Sequence, residues 1–298
     1  MIVSLEDVGA RLEGGSRLTD SDARALMASS DILAIGMLAD EVRRKRHGDR
    51  TTFVRVADVA LHDESDPSWP AAAGEVRVVG TPGPLDAACR RVKQLVIAAG
   101  RTPVSAFSLA DLELQAVEEH LPLADLLRRF REAGLELIAD APLDRLQNPG
   151  ASLEAVCEAG LVLARCTVAG ARGAPPEGTV RLAVALQDAT HCIRTFAPLP
   201  RIPLPGQPST GYEDVKLVSL ARLLADNIDS IQVDWALYGP KLAQVALTFG
   251  ADDVDGVSAE DDETLGPRRR AGEEIRRNIR AAAQTPVERN GRFALMAT

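Results

Sequence analysis

Cysteine and aromatic residues are the scarce components of this 298-residue chain, with four cysteines and 3% Phe, Trp and Tyr together. Cys89, Cys157, Cys166 and Cys192 have spacings that fit no zinc or redox motif. Each stands in an apolar or helical context, so each is expected to be a buried thiol acting as a small hydrophobe. So few aromatics leave little surface on which bases can stack. Positive charge is in deficit too. With 34 basic and 43 acidic residues the formal net charge is -9, which argues against a nucleic-acid partner and an anionic membrane surface. No apolar run is long enough to span a membrane, and none follows a basic N-terminus. The expected place is the cytoplasm, with no signal peptide.

Several motifs are missing as well. There is no G-x-G-x-x-G after a strand and no G-x-x-x-x-G-K-S/T, so nucleotide binding through such loops has no support. No nucleophile elbow or Ser-His-Asp order suggests hydrolysis. His191 at a strand start and His120 at a helix end read as structural residues rather than as a general base.

What is present is an ordinary globular composition, 46% hydrophobic and 26% charged, at a length that suits one α/β barrel or two smaller domains. Apolar runs bounded by turn residues predict strands at 52–59, 75–80, 102–107, 135–139, 160–167, 191–197, 230–236 and 251–257. Helical periodicity falls at 85–99, 109–120, 123–133, 153–159, 178–187, 211–227 and 240–249. Eight strands alternating with helices is the arithmetic of a (β/α)8 TIM-like barrel, with an open doubly wound sheet as the alternative. Residues 1–50 read as a helical lead-in, 51–258 as the barrel and 259–298 as a helical extension, all one structural unit. A charged helix is expected at 268–283. The run Arg43, Arg44, Lys45, Arg46 and His47 closes a lead-in helix and reads as a solvated terminus matched to the helix dipole, rather than as a phosphate patch.

The chain is organised around 226–256, a strand, a tight turn at Gly239-Pro240 and a helix with Pro240 at its start. Within it, WALYGPKLAQVALTFGADDVDG (235–256) resembles the C-terminal signature of the aminofutalosine synthase-like family. These are radical S-adenosylmethionine (radical SAM) enzymes of the futalosine route to menaquinone; the related cyclase and the deazaflavin-cofactor synthases are more distant. RLTDSDARALMASSDILAIGMLADEVRRKRHGDRTTF (17–53) resembles that family's helical lead-in, and TPVERN (285–290) its closing motif, without the usual aromatic just beyond. The resemblance implies a radical SAM barrel, a synthase or transferase activity, and a proline-rich loop (198–211) near the active-site mouth. It also implies that part of GADDVDG, at the C-terminal end of the barrel, lines the ligand pocket.

Against that family's pattern, one piece is missing. The cluster is held there by C-x-x-x-C-x-x-C after the first strand, where this chain has ALHDESDPSWPAAAG (60–74) and no cysteine. The interval is also too short for both a cluster loop and a packing helix. The expectation is therefore a degenerate member, a pseudoenzyme without iron–sulfur cluster or SAM. His62, Asp63, Glu64 and Asp66 on this loop offer hard ligands, but the same composition makes a solvated turn, so no metal site is assigned. ADAP (139–142) replaces a glycine-rich segment, and VVGTPGP (78–84) lacks the acidic residue often used near the amino group of SAM.

Three functions follow as expectations. The barrel binds a futalosine-like nucleoside or a chorismate-derived aromatic acid; or it performs cluster-independent chemistry; or it is a scaffold, a homo- or hetero-oligomer partner of a related barrel protein. Candidate ligand residues, at or just past strand ends, are Thr81, Ser105, Asp140, Arg165, Asp234, Trp235 and Lys241, with Arg165 and Lys241 as partners for a carboxylate or phosphate.

Overall fold

A computed structural model describes residues 4–63, 65–170, 176–201, 211–261 and 270–296. Glu64, the centre of the proline-rich stretch (202–210) and the first two residues of the helix expected at 268–283 lie outside the described residues. Three helices lead in: α1 (Leu5–Glu13), α2 (Asp20–Ala28) and α3 (Ile32–His47). Then come β1 (Arg50–Ala60), β2 (Glu75–Val79), α4 (Leu85–Ala99), β3 (Val104–Ser108), α5 (Leu109–Glu118), α6 (Leu123–Glu132), β4 (Leu137–Pro142) and α7 (Pro149–Glu158). The second half holds β5 (Val162–Leu163), β6 (Cys166–Val168), α8 (Pro176–Thr190), β7 (Thr195–Pro200), α9 (Tyr212–Leu224), β8 (Ser230–Asp234), α10 (Trp235–Leu247), β9 (Asp253–Ser258), α11 (Ala271–Ala281) and β10 (Thr285–Arg289). No helix among the described residues is long and apolar enough to cross a membrane.

The sheet is parallel and closed. Its ring runs β1-β2-β3-β4-β6-β7-β8-β9, and β9 returns to β1 with Thr52 opposite Asp253. The expected (β/α)8 barrel is therefore the fold, and the open sheet is excluded. The anticipated fifth strand is interrupted: β5 pairs with the start of β4, β6 with its end, and Ala164 and Arg165 form the break between them.

The short first crossover holds no helix among its described residues, and β1 runs directly beside β2, from Val56 opposite Glu75 to Ala60 opposite Val79. The outer face of β1 is covered from elsewhere in the chain. Helix α11 packs on β1, β9 and β10, turning Ile275 and Ile279 into the core, where each contributes about 2 kcal/mol. The Arg276 guanidinium lies 5.2 Å from the centre of the outward-facing Phe53 ring. The TPVERN motif is a strand, β10, paired with the first half of β1 from Arg50 opposite Thr285 to Val54 opposite Arg289.

Helix α4 forms as its pattern dictates: Leu85, Ala88, Val92, Leu95 and Ala99 are buried on one stripe. Helix α10 begins earlier than expected. The strand ends at Asp234, whose side chain caps the next turn by accepting from the Leu237 N–H at 2.9 Å, and Gly239 at φ 76° breaks the helix before Pro240 restarts it.

The basic end of α3 is not a free solvated terminus. Arg43 is buried and donates to Asp40 and the Gly48 carbonyl, while Arg46 donates to the carbonyls of Ala225, Asp226 and Ile228. These carbonyls follow the end of α9, so Arg46 ties α3 to the turn after that helix besides matching the dipole of its own.

The cysteines also depart from expectation. Cys166 is a buried thiol and Cys89 a half-buried one, but Cys157 at the end of α7 and Cys192 before β7 form a disulfide across 35 residues of sequence. Closing a loop of that length stabilises a fold by about 3–4 kcal/mol through the unfolded chain. Reduction with dithiothreitol should lower the melting temperature by roughly 5–10 °C. A melting curve unmoved by the reductant would show that the bond contributes nothing.

Candidate ligand site at the barrel mouth

Alternate residues of each strand point into the barrel, and here an unusual share of them are charged. The lowest layer is built on Asp253. Its carboxylate accepts both Nε and Nη2 of Arg289 at 2.6 Å, Gln232 Nε2 at 2.6 Å and Thr52 Oγ1 at 2.5 Å. Arg289 in turn lies 3.7 Å from the centre of the Phe293 ring, so the end of the chain plugs the barrel floor.

The middle layer is a chain of four charges. Ser105 Oγ donates to Glu75 at 2.6 Å; Arg77 donates to Glu75 at 3.0 Å and to Asp255 at 2.8 Å; Arg165 Nη1 donates to the other Asp255 oxygen at 2.6 Å. All four charged groups are buried. Burial alone would raise both acids, but Arg77 and Arg165 hold Glu75 and Asp255 below the usual carboxylate range. Burial, reinforced by the neighbouring Arg77, pushes Arg165 down from its ordinary value. Its Nε is buried with no hydrogen-bond partner among the described residues. A guanidinium has five N–H donors, and a buried orphan donor is costly, so this arginine is short of an acceptor.

Above this layer the mouth opens into a cavity of about 600 Å³, lined among others by Asp58, Trp69, Arg77, Arg201, Asp234 and Glu260. Arg201, just past β7, donates to Asp234 at 3.2 Å. Gly256 is required where β9 passes this acid: a Cβ there would stand 2.7 Å from Asp234 Oδ1, and its φ is 69°.

The sequence-derived candidates divide. Ser105 and Arg165 belong to the middle layer, and Asp234 lines the cavity. Asp140, half-buried at the end of β4, accepts from Thr167 Oγ1 at 3.2 Å. Trp235 packs against the core as the first residue of α10. Thr81 and Lys241 are exposed and lie outside the cavity lining. GADDVDG spans the whole depth of the barrel rather than its C-terminal end: Asp252 turns outward to Arg222 and Ser230, Asp253 lies low, and Asp255 is in the middle layer.

Sequence reasoning missed Asp58, Arg77 and Arg201. The first two carry a readable signal, charges within the otherwise apolar strands VADVA and EVRVV at positions whose period of two points inward. Arg201 was hidden in a proline-rich connection.

Comparison with known proteins gives three findings. The family model for the CofH/MqnC C-terminal region matches residues 198–297. Aminodeoxyfutalosine synthase of Streptomyces coelicolor is 25% identical, covering 96% of this chain and 92% of its own, and that of Thermus thermophilus is 25% identical, covering 96% and 94%. Among solved structures, methylornithine synthase superposes with a TM-score of 0.67 at 16% identity, over 94% of this chain and 97% of that one, a likeness of fold.

These findings correct the expectation of no cofactor. The relatives are radical SAM enzymes, which use an iron–sulfur cluster and SAM, so the relationship points to cofactor use. The missing motif bears only on how a cluster is ligated; it carries no information about the rest of a SAM-sized pocket. In that one respect the residues present do not fit. Cys89 sits on α4, Cys166 is buried in β6, Cys157 and Cys192 are bonded together, and no metal-holding group of three His, Cys, Asp or Glu stands together among the described residues.

Proposed function

We propose, from the premise that this chain is an aminofutalosine synthase-like family member, that its barrel mouth binds a small aromatic carboxylate or a nucleoside bearing one. The observation that carries this reading is a cavity lined by Arg77 and Arg201, with Arg165 bonded to the same Asp255 as Arg77, outside the lining itself, and keeping an Nε with no partner among the described residues. Spare N–H donors in a desolvated site bind a carboxylate through charge-assisted hydrogen bonds. The half-buried Trp69 supplies an apolar face beside them. Asp234 orients Arg201, and Asp255 orients Arg165. The family's link to menaquinone synthesis by the futalosine route suits a chorismate-derived acid, acting in the cytoplasm.

Thermal-shift measurements with 3-hydroxybenzoate, adenosine, a futalosine-type nucleoside and SAM test this. Ligand binding to the folded form alone raises the melting temperature, by an amount equivalent to about 2.7 kcal/mol at a hundredfold excess over Kd. The carboxylates should shift the curve, and adenosine alone should shift it less. A flat response to both carboxylates would sink the reading.

A second reading, a partner of a related barrel protein, is favoured by a groove between α1 and α3 beside the exposed Leu33 and Met37. Size-exclusion chromatography with light scattering, of the protein alone and mixed with a related barrel protein, tests the second reading by itself, because the mouth reading is independent of oligomeric state.

A further inference from the structure

On the inner face of the mouth stands a carboxylate that its own cations pass over. Asp58 stands directly opposite Arg77 in the β1–β2 register, so both side chains lie on the inner face. Yet Arg77 is turned toward Glu75 and Asp255, and Asp58 has no hydrogen-bond or ion-pair partner among the described residues. The charged groups facing it come from every neighbouring element. They are Glu75 and Arg77 on β2, Arg165 before β6, Arg201 after β7, Asp234 on β8 and Asp255 on β9, with Glu260 at the rim. Four carboxylates, Asp58 included, thus meet three guanidiniums before the rim is counted. An anion drawn to Arg165 and Arg201 enters a site that already carries excess negative charge. Of the carboxylates on the inner face of the strands, Asp58 is the one with no partner among the described residues and so the one that can give way; Glu260 stands apart at the rim.

We infer that ligand capture at the mouth is coupled to the uptake of one proton, which Asp58 carries and donates as a hydrogen bond to the carboxylate of the bound anion. The balance is simple. One proton leaves solvent, one O–H bond forms on Asp58, and a carboxylic acid–carboxylate pair replaces two repelling anions. The inference rests on the mouth being an anion site. Partial desolvation at the cavity wall, where the residue is still exposed, already raises Asp58 above the ordinary carboxylate value, with Asp255 and Glu75 adding to it and Arg77 and Arg165 opposing it. A bound anion raises it further. Affinity is then constant below the value in the free protein, falls about tenfold per pH unit between the free and bound values, and is constant again above both.

Isothermal titration of 3-hydroxybenzoate, in phosphate and in Tris at matched pH, counts the protons from the difference in apparent enthalpy. Across about pH 4–8, uptake should approach one proton per ligand in the sloping part of the affinity curve. Asp58→Asn removes no native bond, and its amide can donate to the ligand without titrating. That variant should bind with no proton uptake and lose the tenfold slope. Wild-type binding without uptake, proton release on binding, or uptake that persists in Asp58→Asn would each overturn the inference while leaving the anion site standing. Failure of the wild type to bind 3-hydroxybenzoate at any pH would remove the anion site itself, and this inference with it.

Discussion

Replacing Arg289 by leucine should destabilise the protein by about 3–5 kcal/mol, because Asp253 would be left ionised and unpaired inside the barrel. Arg289 supplies two of the four hydrogen bonds on that carboxylate, and both groups are almost wholly buried. Thr52 and Gln232 remain, but neither carries charge. The stack with Phe293 would go as well, loosening the segment that closes the floor. A melting temperature lower by roughly 6–12 °C is expected. The double variant Asp253→Asn with Arg289→Leu should recover part of the loss, since it removes the stranded charge. A single variant that melts within a degree or two of the wild type would mean the lower layer is not a structural ion pair.

Arg165→Met should leave a folded barrel and weaken binding of 3-hydroxybenzoate by about 10- to 100-fold, the worth of one charge-assisted hydrogen bond. The contrast with Arg289 follows from connectivity. Asp255 keeps its bond to Arg77 at 2.8 Å when Arg165 is gone, whereas Asp253 has no second cation among the described residues. The stability cost should therefore be smaller and the binding cost larger. Unchanged affinity in a well-folded Arg165→Met protein would place the anion elsewhere.

Much of this fold was legible because its elements announce themselves locally. Helix α4 has the bounds its apolar stripe and terminal Gly100 dictate, and the eight barrel strands lie where apolar runs meet turns. Strand β10 was not legible. TPVERN carries a proline and alternating polar groups, and its place is fixed by backbone pairing to a strand more than 200 residues earlier. The Cys157–Cys192 bond and the docking of Arg46 on the end of α9 are likewise tertiary facts with no local signature. The break at Ala164 and Arg165 is, in sequence, hidden within a mostly apolar run, yet it is where Arg165 leaves the strand pairing and reaches Asp255 inside the barrel.

The site was legible by half for a related reason. Strand ends are the right places to look in a barrel, and they yield Arg165 and Asp234. They also yield Lys241 and Thr81, which the chain turns to solvent. What the rule omits is depth. Arg77 is identified by charge inside an apolar strand, where desolvation would be prohibitive without partners, and Asp58, exposed to the cavity, by charge at an inward position of β1.

The most direct measurement is a crystal structure of the protein soaked with 3-hydroxybenzoate. The account predicts the carboxylate in the mouth cavity, within hydrogen-bond distance of Arg165 or Arg201 and facing Asp58. Ligand density confined to the α1–α3 groove or the barrel floor, with the mouth holding only solvent, would contradict it.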